Sequence, residues 1–183
     1  MLRLTLIILS LIISTPSYAQ HITGLEIEDI FKEIETLYNT PKPDWKKIVE
    51  RTDLRTTEDA VYTHELMTNK RTEPIHQEQT KEELLQTMRD TTNELLNSNI
   101  RHTLRDIKYL DDKISAEVKY TSLFRGDVKM PGVKIGMAAK YVIVGFKTLS
   151  ICTEYFRLEN ELVKSYRAEC KIDTIYDEPR KVE

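Results

Sequence analysis

The chain has 183 residues, of which 27 are Lys or Arg and 30 are Asp or Glu, so its formal net charge at pH 7 is −3. This balance leaves no basic stripe of the kind that binds nucleic acid and no polybasic segment for an anionic membrane surface. The length corresponds to one domain that can bury a core without further support.

The first residues have the pattern of a secretory signal peptide. Arg3 precedes the apolar run 4–13, and the small residues Ser17 and Ala19 come before Gln20. The run is shorter than the ~20 apolar residues that span a bilayer. The pattern therefore predicts cleavage between Ala19 and Gln20, with export to the periplasm or beyond and no membrane span afterwards. An uncleaved N-terminal anchor is the alternative.

Residues 20–176 are interpreted as one domain, and residues 177–183 as a short charged tail that we expect to be loose. The domain opens with helices. Asp44 is placed as the N-cap of a short second helix, and the weak alternation of residues 58–67 indicates a strand. The first helix ends before two prolines and has one apolar stripe: Ile27, Ile30, Phe31, Ile34, Leu37 and Tyr38.

A longer helix is predicted over residues 80–96. Thr80 and Glu83 have the spacing of a capping box, which satisfies backbone groups of the first turn. Asn97 and Asn99 are natural stops. The buried stripe of this predicted helix consists of Leu84, Leu85, Met88, Leu95 and Leu96.

After Asn99 the apolar period changes to two, which is typical of strands. We predict a strand over residues 100–109 with a bulge near Arg105, and a half-buried strand over 114–124. Residues 126–136, with Pro131 inside, are expected to form a loop. Two long strands over 141–158 and 162–176 complete the domain, the first with its bend at Gly145.

The last two strands carry the chain's two cysteines. A three-residue loop over 160–162 would place Cys152 directly opposite Cys170, within disulfide range. In an exported protein an even cysteine count favours a disulfide, and a pair of reduced buried thiols is the alternative. The same register puts an apolar set on the cysteine face: Phe156, Leu158, Tyr166, Ala168 and Ile172.

This order of elements resembles the nuclear transport factor 2-like (SnoaL-like) superfamily over residues 25–176. The resemblance lies in three segments: LEIEDIFKEIETLYNTPKPDW, TKEELLQTMRDTTNELL and SICTEYFRLENELVKSYRAEC. The Cys–turn–Cys closure is similar to that of exported bacterial members of unassigned role. The resemblance implies an α+β fold, with N-terminal helices packed on a strongly curved antiparallel sheet in a cystatin-like cone. Members of this superfamily include isomerases, dehydratases, small-ligand binders and non-catalytic assembly domains. The resemblance therefore implies a fold but does not select one function.

Enzymes of this superfamily place an acid, a base and tyrosines inside the cone. Glu154 is the weak catalytic candidate, because it lies between Cys152 and Phe156 on the apolar face. A buried carboxylate there needs a partner or a raised pKa. The alternative is a position at the sheet rim, paired with a Lys or Arg. The candidate pocket residues are Tyr120, Tyr141, Glu154, Phe156, Tyr166 and His102.

No cofactor or metal is expected, because His64, His76 and His102 lack metal-ligand spacing. We interpret the chain as a non-catalytic domain that binds a small or lipidic ligand or an envelope protein. The alternative is an acid/base enzyme of the isomerase or dehydratase type. A homodimer through the outer sheet face is a further possibility, which the charges of Arg157 and Lys171 on that face disfavour.

Overall fold

The computed structural model describes residues 21–40, 43–91, 94–110, 113–132 and 140–181. The predicted signal peptide and its Ala19–Gln20 cleavage site lie outside these residues. The helices are α1 (Gly24–Tyr38), α2 (Trp45–Leu54) and α3 (Lys81–Thr91). The strands are β1 (Thr56–Thr68), β2 (Ile75–Thr80), β3 (Leu95–Tyr109), β4 (Ser115–Pro131), β5 (Tyr141–Glu159), β6 (Leu162–Tyr176) and β7 (Arg180–Lys181).

The described strands form one sheet in the order β2-β1-β6-β5-β4-β3, and β7 pairs with β5. All neighbours are antiparallel except β1 and β6, which run parallel. Bulges interrupt the register near Leu104–Asp106 and Tyr155–Phe156 and increase the local bend of the strands. The predicted α+β class, helices on a curved and largely antiparallel sheet, is confirmed.

Helix α1 supplies much of the core. Thr23 and Glu26 form its capping box, and the helix buries Ile27, Ile30 and Phe31 as the apolar stripe predicts. These side chains pack on the inner face of the sheet at Ala116, Val118, Phe156 and Val163. Helix α2 begins as predicted at Asp44, whose side chain accepts a hydrogen bond from the Lys47 backbone N–H at 3.1 Å.

The capping box of α3 forms at Thr80 and Glu83, but the predicted helix over 80–96 is too long. Leu95 and Leu96 belong to β3, not to the helix. Leu95 pairs with Val128 of β4, so the backbone of this segment is satisfied by the sheet ladder. Two adjacent leucines are compatible with either a helix or a strand, so the sequence pattern alone does not show where the helix ends.

The predicted loop over 126–136 is wrong for its first six residues. Gly126 to Pro131 continue β4, with Pro131 opposite Tyr141. Gly126 marks a close approach of strands: a Cβ at this position would lie 2.9 Å from the Phe146 ring. Residues 133–136 lie outside the described part of the chain.

The hairpin between β5 and β6 has a two-residue loop instead of the predicted three. Asn160 and Glu161 have φ values of 52° and 64°, as a type I′ turn requires. The bulge beside Tyr155 then adds one residue to β6 and brings Cys152 opposite Cys170. The predicted cysteine register is therefore reached by a different route.

The expectation of a loose tail fails for Arg180 and Lys181, which pair with Ile143 and Val142 of β5. The Arg180 guanidinium lies 2.7 Å from the Asp127 carboxylate and ties this strand to β4. Within the described residues, no helix combines the length and hydropathy needed to cross a membrane.

Candidate ligand-binding cavity

A cavity of about 230 Å³ lies between the three helices and the inner face of the sheet. Its walls are mainly apolar, because the stripes of α1, α2 and α3 all point toward the sheet. The apolar lining consists of Ile30, Ile34, Leu37, Ile48, Leu84, Met88 and Phe156. A largely apolar hollow with a few converging polar groups is the usual form of a small-molecule site.

The polar groups converge from four strands. The Tyr120 hydroxyl donates to the Glu154 carboxylate at 3.0 Å, and Ser165 also hydrogen-bonds to Glu154. Behind Ser165, the Tyr62 hydroxyl donates to the Ser165 Oγ at 3.3 Å and lies 3.3 Å from the Thr56 Oγ1. All five residues line the cavity. Glu154 is thus the acceptor at the end of a chain of hydroxyl groups.

Burial dominates the electrostatics of this cluster. It raises the pKa of the Glu154 carboxyl above its ordinary value, although the hydrogen bonds from Ser165 and Tyr120 act in the opposite direction. Burial, together with the negative charge of Glu154, raises the pKa of Tyr120 well above 10.0. Tyr120 therefore stays a neutral hydrogen-bond donor, while Glu154 holds its proton to a higher pH than an exposed glutamate does.

Two arginines of α2 and its C-cap line the same cavity. Arg51 lies 2.6 Å from the Glu33 carboxylate of α1. Arg55 donates to the Val163 carbonyl at 3.3 Å and forms no ion pair with a described carboxylate. Burial, and then repulsion from Arg51, lowers the pKa of Arg55. The Nε atoms of both arginines are buried and have no hydrogen-bond partner among the described residues.

Three of the pocket residues predicted from the sequence, Tyr120, Glu154 and Phe156, line this cavity. Glu154 does not occupy the alternative position at the rim, and its partners are hydroxyl groups instead of a Lys or Arg. The other three candidates lie elsewhere. Tyr141 pairs with Pro131 and has the Lys129 ammonium 4.5 Å from its ring centre.

The bulge in the last hairpin explains why Tyr166 is not a pocket residue. It places Ser165 opposite Phe156 and on the inner face, where the predicted register had put Tyr166. The Tyr166 ring instead lies 6.1 Å from that of Tyr155 and 5.5 Å from the Arg157 guanidinium. The prediction that Tyr166 shares the cysteine face is therefore wrong.

His102 lies next to the cavity wall without lining it. Its ring centre is 5.0 Å from that of Phe31 and 5.8 Å from that of Tyr120. Its Nδ1 lies 3.4 Å from the Glu35 carboxylate, which also accepts a hydrogen bond from the His102 backbone N–H. Burial lowers the pKa of His102, although Glu35 acts in the opposite direction. Sequence reasoning did not find Glu35 as its partner.

The disulfide between Cys152 and Cys170 is present, as predicted, and its Cα atoms are 4.2 Å apart. Cys152 is buried and lies opposite Tyr120 on β4. The crosslink therefore joins β5 and β6 immediately beside the strands that carry Tyr120 and Glu154.

Sequence reasoning missed most of the polar side chains that line the cavity: Glu33, Arg51, Thr52, Arg55, Thr56, Tyr62 and Ser165. Tyr62 is brought in by the parallel pairing of β1 with β6, which places it opposite Ala168. Ser165 enters through the bulge. Arg51 follows the buried Ile48 of α2 by three residues, so the helical period would have placed it near the core. Among the described residues, no group of three or more His, Cys, Asp or Glu side chains is arranged to hold a metal ion.

Comparison with known proteins connects this architecture to solved structures. A hexachlorocyclohexane dehydrochlorinase, LinA-type3 from Novosphingobium barchaimii, superposes with a TM-score of 0.52 at 11% identity, covering 81% of this chain and 84% of that one. A proposed scytalone dehydratase from Novosphingobium aromaticivorans gives 0.52 at 8% identity, covering 87% of each chain. A nuclear transport factor 2-like protein from Cytophaga hutchinsonii gives 0.45 at 13% identity, covering 82% of this chain and 98% of that one.

The chain has the nuclear transport factor 2-like cone fold. At these identities the likeness concerns the fold and does not extend to activity. No protein-family model matches the sequence, and no curated protein matches it.

Proposed function

We propose that this nuclear transport factor 2-like cone is an exported protein that binds a small, mostly apolar molecule inside its cavity. The observation that carries the proposal is the pairing of Glu154 with Tyr120 in the wall of a mainly apolar hollow of about 230 Å³. Such a pair offers a ligand both a carboxyl group and a hydroxyl donor, while the walls remove its apolar surface from water.

Export is part of the proposal and is supported by the Cys152–Cys170 disulfide. Disulfides persist in oxidising compartments and are rare in the cytosol. The predicted signal peptide, residues 1–19, would deliver the chain to such a compartment. A homodimer stays a prediction.

The binding proposal is tested with 2-naphthamide, a neutral aromatic probe whose amide group both donates and accepts hydrogen bonds. Titration into the mature protein, followed by NMR, should shift signals of the cavity residues. Tyr120→Phe should raise the dissociation constant by about three- to tenfold, because one hydrogen bond is lost. Tyr155→Phe on the outer face is the matched control and should change nothing. Shifts confined to the outer sheet face, or equal effects of both variants, would contradict the proposal.

Catalysis is the second candidate function, and one specific observation favours it. Burial raises the pKa of Glu154 while Tyr120 remains a neutral donor, which is the combination used to move a proton from carbon and stabilise the resulting oxyanion. If the natural ligand carries an acidic C–H bond, incubation in D₂O should incorporate deuterium in the presence of the protein. Glu154→Gln should abolish that exchange, whereas Glu169→Gln on the outer face should leave it unchanged.

A further inference from the structure

The end of the cavity that Arg51 and Arg55 line has an excess of positive charge. Arg51, Arg55 and Glu33 line it together, and Glu33 forms its ion pair with Arg51. Arg55 donates to the Val163 carbonyl and forms no ion pair with a described carboxylate, although the charges of Glu33 and Glu26 attract it. Counting these three side chains, one positive charge faces the cavity without a counter-ion. Arg55 is half-buried, so water screens its charge only in part, and a positive charge without an ion-pair partner at this end of the cavity favours an anion.

A purely structural explanation accounts for part of this arrangement. Arg55 is the C-cap of α2, and a cation there interacts favourably with the helix dipole. Its backbone carbonyl also accepts a hydrogen bond from the Ser165 N–H at 2.8 Å. Neither contact explains the buried Nε atoms of Arg51 and Arg55, which have no partner among the described residues. Buried polar hydrogens without an acceptor are uncommon in folded proteins.

We infer that the ligand of this cavity is an apolar organic acid, whose carboxylate is bound by Arg55 while its hydrocarbon body lies against the apolar walls. The inference rests on the proposed function and adds the chemical class of the ligand. A guanidinium presents a planar fork of donors that matches a carboxylate, and such pairs are among the strong hydrogen bonds in proteins. The raised pKa of Glu154 reduces the repulsion that a second carboxylate in the same cavity would meet.

Two probes of nearly equal shape show how much the charge of a ligand contributes to its affinity. They are 2-naphthoate and its neutral counterpart 2-naphthamide, each titrated calorimetrically at pH 7. The mature protein should bind naphthoate about tenfold more tightly than naphthamide. Arg55→Met keeps the apolar stem and removes the charge, so it should abolish this preference and leave naphthamide binding within about twofold. Arg71→Met, which changes an exposed arginine outside the cavity, should preserve the preference.

A second variant keeps the inference testable if Arg55→Met fails to fold. Glu33→Gln removes the carboxylate that occupies Arg51, so it should strengthen naphthoate binding and leave naphthamide binding unchanged. Equal affinities of the two probes for the unaltered protein would overturn the inference but leave the proposed binding function intact. The same holds if Arg55→Met weakens both probes equally. Failure of both probes to bind would count against the inference and the proposed function together.

Discussion

Glu154 combines two features that an exposed glutamate does not have: it is enclosed beside a cavity, and its carboxylate accepts hydrogen bonds from Tyr120 and Ser165. The first feature raises its pKa and the second limits that rise. The titratable and charged groups that share its cavity are Tyr38, Tyr62, Tyr120, Glu33, Arg51 and Arg55. Burial also raises the pKa of Tyr38 to about 12, so this tyrosine stays neutral beside them.

The raised pKa of Glu154 makes stability depend on pH. The folded state retains the proton to a higher pH than the unfolded chain, whose glutamate titrates near 4.5. The stability that this group contributes is therefore complete below that value and is lost as the pH rises through the raised pKa. Glu154→Gln should remove this loss, so the variant should gain stability relative to the unaltered protein as the pH rises above 4.5.

Urea denaturation at several pH values measures this difference directly. Glu169→Gln is the matched control, because Glu169 lies on the outer face beside Arg167 and should show no such gain. If the difference in unfolding free energy between Glu154→Gln and the unaltered protein does not change with pH, the carboxyl is not in the environment described here.

Among the helices and strands, two glycines differ in the space available for a side chain: Gly126 lies within a strand, and Gly24 begins a helix. A Cβ at Gly126 would lie 2.9 Å from the Phe146 ring and would also press on the backbone carbonyl of Asn97. A Cβ at Gly24, the first residue of α1, would meet only the Tyr109 hydroxyl at 3.4 Å and the Ile107 side chain at 3.9 Å. Gly126→Ala should therefore cost about 1–3 kcal/mol of stability.

Gly24→Ala is the matched control and should be neutral or stabilising by up to about 1 kcal/mol, because alanine favours helix. Thermal and urea unfolding of the two variants give the comparison. A neutral Gly126→Ala would mean that β3, β4 and β5 do not approach as closely as the structure has them.

The elements also show which features the sequence determines locally. The caps at Thr80 and Asp44 and the bulge near Arg105 depend on neighbouring residues, and the structure confirms each of them. The end of α3 and the length of β4 depend on partners far along the chain, so local periodicity misplaced both. Tyr166 was misplaced for a different reason: the bulge in β6 reverses the face of the side chains between it and the hairpin turn.

Only part of the candidate site could be predicted from the sequence. Glu154, Tyr120 and Phe156 lie on strands with clear alternation, so their common face follows from the period of two. Tyr62 and Arg55 reach the same cavity through the parallel β1–β6 pair and the placement of α2 on the sheet. Those are tertiary relationships that no local pattern encodes.

For the whole molecule, the disulfide closes the hairpin whose strands carry Glu154 and Ser165. Replacing both cysteines by alanine should lower the unfolding free energy by about 3 kcal/mol, as expected for a crosslink between residues 18 apart. Treating the unaltered protein with a reductant should lower it similarly and should have no effect on the double variant. Two free thiols in the unfolded, unreduced protein would contradict this account.

The central claim is that the interior of the cone holds a small organic molecule. Native mass spectrometry of the mature protein, purified from its own cell envelope, tests it most directly. We expect the folded protein to carry an additional small mass that disappears on denaturation and is reduced in Arg55→Met. A protein that is bare in the native state, or that carries only another polypeptide, would contradict the claim and favour an assembly role.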